Sequence, residues 1–193
     1  MHAECREALP RSLIIQCVQS FSGTSGSRRF DSPPSNDPNA SASTPAGGPT
    51  PSPNLRDHID NVDKVGKQGI SGCHNSENFE EALEELGGTI ESREPVSSID
   101  GVEVVTYRLP KRDRQGNPTD EMRSTSFTKT VFDPDKISTD EYVGRGMEAA
   151  AEAASRSDSG TLGHEWTGTD SQGVTWHGYT DSNGNVTSFY PTD

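Results

Sequence analysis

The sequence predicts an α+β domain of small antiparallel sheets with flanking helices, preceded by a segment that does not fold on its own. Three observations carry this expectation. Hydrophobic residues are only 28% of the 193, and the shortage is concentrated in residues 31–54, which hold seven prolines and no large apolar side chain. Such a stretch cannot bury enough apolar area to offset its ordering entropy. Two later stretches carry apolar residues at three- and four-residue steps behind helix-capping residues, and the remainder alternates with a period of two between Gly/Asn/Asp turns.

Taken in order, residues 1–30 offer one short helix over Glu7–Val18, with nothing beside it to pack against. Residues 31–54 read as an extended, partly polyproline-like linker. We therefore divide the chain into a disordered N-terminal stub and linker, 1–54, and one domain, 55–193. Leu55, Ile59, Val62 and Val65 suit a short helix or a turn-rich segment. A clear helix follows, capped by Asn75 or Ser76, striped by Phe79, Ala82, Leu83 and Leu86, and ended by Gly87-Gly88. Val102–Leu109 and Arg123–Phe132 alternate as strands, with loop chemistry between them around Gly116-Asn117-Pro118. Ser138 and Glu141 form a capping box ahead of a helix bearing Tyr142, Val143, Met147, Ala150, Ala151 and Ala154. A last hairpin pairs Gly173–Tyr179 with Asn185–Tyr190 around Asp181-Ser182-Asn183-Gly184. In a regular final strand Val186, Ser188 and Tyr190 share one face, and Thr187 and Phe189 the other.

The net charge is −13. Residues 1–55 carry four acids and four bases, so the whole excess lies in residues 56–193, where 26 acids face 13 bases. That balance argues against wrapping nucleic acid by bulk electrostatics, and no DNA partner is expected. It permits a small local site for one or two nucleotides, and it suits a basic protein partner. The three cysteines, Cys5, Cys17 and Cys73, form no Cys-x-x-Cys pair, so neither a zinc site nor a disulfide framework is indicated. Cys73 reads as a structural thiol despite lying beside His74. No stretch is long and apolar enough to span a membrane, and Glu4 and Glu7 ahead of Leu13-Ile14-Ile15 make a poor secretory signal.

Residues 58–79 hold the chemistry. His58 and His74 stand sixteen positions apart, joined by a stretch bearing Gly66, Lys67, Gly69 and Gly72. Two imidazoles suit paired proton transfer, because histidine titrates near working pH. Gly-rich backbone can approach a phosphate closely, and a lysine or hydroxyl donors can stabilise developing negative charge. By itself this pattern also describes two loop histidines. His164 and His177 read as structural, and Trp166 and Trp176 as core.

Three features together resemble the EndoU family of endoribonucleases, including its bacterial toxin and viral uridylate-specific branches. They are His58-Ile59 followed by Gly72-Cys73-His74-Asn75; the ending Asn-Val-Thr-Ser-Phe-Tyr-Pro, 185–191; and the strand-then-capped-helix unit of residues 128–141. The resemblance covers about residues 56–193. It implies that His74 is the general base and His58 the general acid. Lys129 would be the third catalytic group, with Lys67, Arg123 or hydroxyl donors as alternatives, since a regular strand would turn Lys129 away from Thr130 unless a bulge intervened. Thr130 would read a pyrimidine, Ser188 would bond the base, and Tyr190 would pack on ribose and base. It further implies RNA as substrate, tRNA or uridine-containing loops included, a 2′,3′-cyclic phosphate product, and no cofactor or obligate metal. A toxin module delivered into a target cell, with a cognate immunity protein, would follow. Two other readings stand beside this: a binding module that has lost its chemistry, and a metal-binding protein using His58 and His74.

Overall fold

The structure, a computed structural model, describes residues 48–192. The short helix and most of the linker expected before residue 48 lie outside the described residues. The element order is α1 (Leu55–Asp60), β1 (Val62–Gly66), β2 (Gly69–Gly72), α2 (Ser76–Glu85), β3 (Thr89–Pro95), β4 (Val102–Arg108), β5 (Pro110–Arg112), β6 (Pro118–Met122), β7 (Phe127–Phe132), α3 (Thr139–Arg156), β8 (Glu165–Thr169), β9 (Thr175–Thr180) and β10 (Val186–Thr192). The strands form two three-stranded sheets, ordered β3-β4-β7 and β10-β9-β8, and two hairpins, β1-β2 and β5-β6. This is the α+β architecture of small antiparallel sheets.

Two apolar clusters hold it together. One joins α1, α3 and the β10-β9-β8 sheet through Leu55, Ile59, Tyr142, Trp166, Trp176 and Phe189. The other packs α2 against the β3-β4-β7 sheet through Phe79, Leu83, Val105, Tyr107 and Val131, with Ile70 and Cys73 from the first hairpin. Tyr142 is sealed among Phe132, Trp176 and Phe189. Its hydroxyl has no partner among the described residues, and burial pushes its pKa upward. Asp170 ties α3 to the second sheet. Burial opposes its charge, but bonds from the Val174 N–H, Arg145 and Trp176 outweigh that cost and hold its pKa below the ordinary value.

Several expectations change. The linker ends before residue 54, because Thr50 and Ser52 exchange backbone bonds with Val186 and so lay the incoming chain along β10. The stretch Leu55–Val65 is helix only to Asp60, after which β1 begins. The strand expected from Arg123 starts at Phe127, and the loop before it is itself a hairpin, β5-β6. The glycines between the two histidines belong to a hairpin rather than an irregular loop. They frame a two-residue turn, Lys67-Gln68, closing β1 onto β2. Asn75 is the cap of α2, accepting from the Glu77 and Asn78 amides.

Candidate active site

The two histidines meet because one helix end and one strand end satisfy each other. The last turn of α1 leaves carbonyls without intrahelical donors. The His58 carbonyl accepts from the Cys73 amide at 2.8 Å, and that of Ile59 accepts from His74 at 2.6 Å. Making those bonds requires a sharp turn after β2. Gly72 has φ +74°, and a Cβ there would press on the His58 carbonyl at 2.9 Å. Cys73 follows at φ 61°, a region rarely occupied by non-glycine residues and tolerated where surrounding contacts over-determine it. The result places the two imidazole centroids 5.7 Å apart.

His74 is held by the free edge of β7. Its carbonyl accepts from the Phe132 amide at 2.7 Å, and its ring Nδ1–H donates to the Thr130 carbonyl at 2.8 Å. That bond fixes the tautomer, leaving Nε2 as the ring's acceptor. Lys129 Nζ stands 3.5 Å from this nitrogen. Burial, then Lys129, then His58 drive the His74 pKa well below the ordinary histidine value, and the bond to Thr130 only partly opposes them. His74 is therefore neutral at working pH.

Lys129 reaches the site without the bulge that its spacing suggested. The β4-β7 register is regular across Phe127–Phe132. Lys129 points to the same side as Phe127 and Val131, yet β7 is the sheet's edge strand, so the site can draw on both of its faces. Lys129 is only 8% exposed, and burial lowers its pKa from 10.5 to about 8. Thr130 contributes its carbonyl to His74 and also lines the cleft.

His58 is oriented by two partners. Its Nδ1–H donates to Asp63 Oδ2 at 2.6 Å, and its Nε2 lies 2.9 Å from Ser188 Oγ. Asp63 also accepts from the Ser71 hydroxyl at 3.2 Å. The sequence reading missed Asp63, which sits where the β1-β2 register slips between Val62 and Lys64. A bulge re-aims a side chain in this way, and no periodicity announces it. A second slip, between Val186 and Ser188, corrects the expected face of the last strand. Val186 turns into the core beside Phe189, whereas Ser188 and Tyr190 face outward. Cys73 is no nucleophile at neutral pH, since burial raises its thiol to about 11. His177 and His164 lie outside the cleft lining.

All six residues singled out in the sequence, His58, His74, Lys129, Thr130, Ser188 and Tyr190, line one cleft of about 890 Å³, toward the upper end of the range for small-ligand sites. Lys64, Lys67, Gln68, Thr128 and Tyr179 complete much of its wall. Arg123, the other cation considered, instead braces the hairpin by donating to the Gly66 carbonyl at 2.9 Å. The lining holds three lysines and no carboxylate, although acids outnumber bases 26 to 13 across residues 56–193. Among the described residues no group of three histidine, cysteine or acidic side chains is placed to hold a metal ion, and no helix is long and apolar enough to cross a membrane.

Paired imidazoles beside a buried amine, in a carboxylate-free cleft between small antiparallel sheets, form the candidate active site. The family model for the bacterial EndoU nuclease matches residues 52–193, and the chain belongs to that family. No curated protein matches the chain.

Proposed function

We propose that this nuclease is an endoribonuclease that cleaves RNA without an obligate metal, by attack of the ribose 2′-hydroxyl on the adjacent phosphorus. The observation that carries the reading is the pair of imidazoles in unlike settings around one cleft. Neutral His74 presents an unprotonated Nε2, which takes the 2′-hydroxyl proton. The 2′-oxygen bonds to phosphorus and the P–O5′ bond breaks. His58, protonated at Nε2, gives that proton to the leaving 5′-oxygen, so the products are a 2′,3′-cyclic phosphate and a 5′-hydroxyl. Asp63 holds the His58 ring in place throughout. Lys129, itself buried, supplies positive charge to the phosphorane oxygens.

Tyr190 and Ser188 border the nucleoside, with Thr130 opposite them reading a pyrimidine. A cleft this size, on a domain with few free cations, suits a single-stranded loop of tRNA or another uridine-containing RNA. As a further part of the proposal, the Pro- and Ser-rich stretch ahead of the nuclease unit fits a toxin delivered to competing cells and restrained by a cognate immunity protein in the producer.

The test is incubation of the chain with a fluorescent uridine-containing oligonucleotide in EDTA. Cleavage leaving a cyclic phosphate is expected, together with loss of cleavage in His58→Ala and His74→Ala. His74→Ala should also cost about 1 kcal/mol of stability, because it removes the donor to the half-buried Thr130 carbonyl. Intact RNA in the presence of folded wild-type chain would refute the reading.

A further inference from the structure

Most of the positive charge that the fold leaves uncommitted faces the cleft. Of the 13 bases in residues 56–193, seven hold a carboxylate partner. Arg112 and Arg123 donate to backbone carbonyls. Lys64, Lys67, Arg114 and Lys129 have neither kind of partner among the described residues, and all but Arg114 line the cleft. Lys129 stands at the imidazole pair, whereas Lys64 and Lys67 come from β1 and the turn that follows it. Within residues 62–72 the only acid is Asp63, and its carboxylate is taken by His58 and Ser71. The hairpin carrying the two lysines is braced from below. The Ile70 amide donates to the Tyr107 hydroxyl at 2.7 Å, and Arg123 holds the Gly66 carbonyl at 2.9 Å. Like charges facing one concave space repel one another, and an anionic occupant relieves that repulsion.

We infer that Lys64 and Lys67 form a track for the two phosphates that follow the scissile one on its 3′ side. The inference rests on the endoribonuclease reading for the identity of the anion and for its direction. Under that reading the 5′-oxygen leaves toward His58, whose partner Asp63 immediately precedes Lys64 on β1. The nucleoside that keeps the 2′-oxygen is bordered instead by Ser188, Tyr190 and Thr130, on β10 and β7. The hairpin therefore lies beside the leaving nucleotide. At about 3.3 Å per residue, Lys67 lies roughly 10 Å farther along the chain than Lys64, so the two amines are offered to successive phosphates rather than to one. A lysine meets phosphate as a point charge and reads no base. Affinity gained along the track is therefore independent of the sequence that follows the cut, and it grows with each of the first two phosphates on that side.

The experiment titrates the full chain with a ladder of oligonucleotides that carry 2′-deoxyuridine at the cleavage position and so cannot be cut. The shortest is a uridine–adenosine dinucleotide with no terminal phosphate. The others add one phosphate on the 3′ side, two phosphates on the 3′ side, or one phosphate on the 5′ side. Each 3′ phosphate should tighten binding about fivefold, and the 5′ phosphate should not. Lys64→Gln should erase the first increment, Lys67→Gln the second, and Lys67→Arg should keep it. Equal affinity along the 3′ ladder would overturn the inference, as would a gain from the 5′ phosphate in place of the 3′ ones. So would increments that survive in the double glutamine variant, or increments lost only together with a lower melting temperature. Because the ladder cannot be cut, 3′ increments in a chain that leaves uridine-containing RNA intact would refute the catalytic reading and leave the phosphate track standing.

Discussion

Replacing Lys129 with methionine should make the protein more stable and its catalysis far slower. The lysine is 8% exposed, on the side of β7 that carries Phe127 and Val131. Its nearest polar neighbour is the neutral imidazole of His74 rather than a carboxylate. Burial lowers its pKa from 10.5 to about 8, and at about 1.4 kcal/mol per pH unit this corresponds to about 3 kcal/mol against the charged form in the folded state. Below about pH 8 the amine is protonated in folded and unfolded chains alike, and the folded state bears the whole cost. Between there and pH 10.5 the unfolded chain binds more protons, so stability rises with pH through that window. Methionine has similar length and no charge to desolvate. Allowing for imperfect packing, Lys129→Met should gain about 2 kcal/mol at pH 7, and the gain should vanish near pH 10.5. The same substitution removes the cation that we propose faces the phosphorane and should lower kcat by about 10²- to 10³-fold. Urea denaturation of both proteins at pH 7 and pH 10.5, with single-turnover cleavage at pH 7, reads both effects. A variant less stable than wild type at pH 7, or one that cleaves at the wild-type rate, would refute the argument that this amine is kept buried for chemistry.

Other outcomes follow from the same geometry. Asp63→Asn should lower kcat by about 10²-fold with little change in KM, because the amide no longer enforces the His58 tautomer; a steady-state comparison on a dinucleotide checks it. Lys64→Gln combined with Lys67→Gln should raise KM and leave kcat alone. It should also reduce the slope of log KM against log salt by about 1.4, as expected for two lost contacts to single-strand phosphate, measured from 50 to 300 mM salt. Gly146→Ala should destabilise the fold by about 1–3 kcal/mol despite the helix preference of alanine, because the added methyl would sit within the Phe189 ring; denaturant titration gives the sign.

The two long helices were legible because each announces itself locally, through Asn75 and Ser138 at the start and apolar residues at helical spacing. Their boundaries follow from interactions within four residues. The strands β4, β7, β9 and β10 were legible in part, since alternation marks a half-buried strand. The strands β1, β3 and β8 were not. Thr89–Pro95 shows no alternation, since all but Ile90 are exposed; β1 was read as part of the preceding helical or turn-rich stretch, and β8 is only five residues long although its burial alternates.

The sequence, through its resemblance to the family, marked His58, His74, Lys129, Thr130, Ser188 and Tyr190, and these line one cleft, whereas Asp63 left no signal in it. Only the tertiary structure decided how those side chains are set relative to one another. The docking of Cys73 and His74 onto the end of α1 brings the rings together, the free edge of β7 selects the His74 tautomer, and a register slip delivers Asp63 to His58. The physical reason is that tautomer, burial and pKa are set by neighbours tens of residues away. A one-residue slip in a strand reverses which face a side chain occupies without leaving any mark in the pattern of residue types.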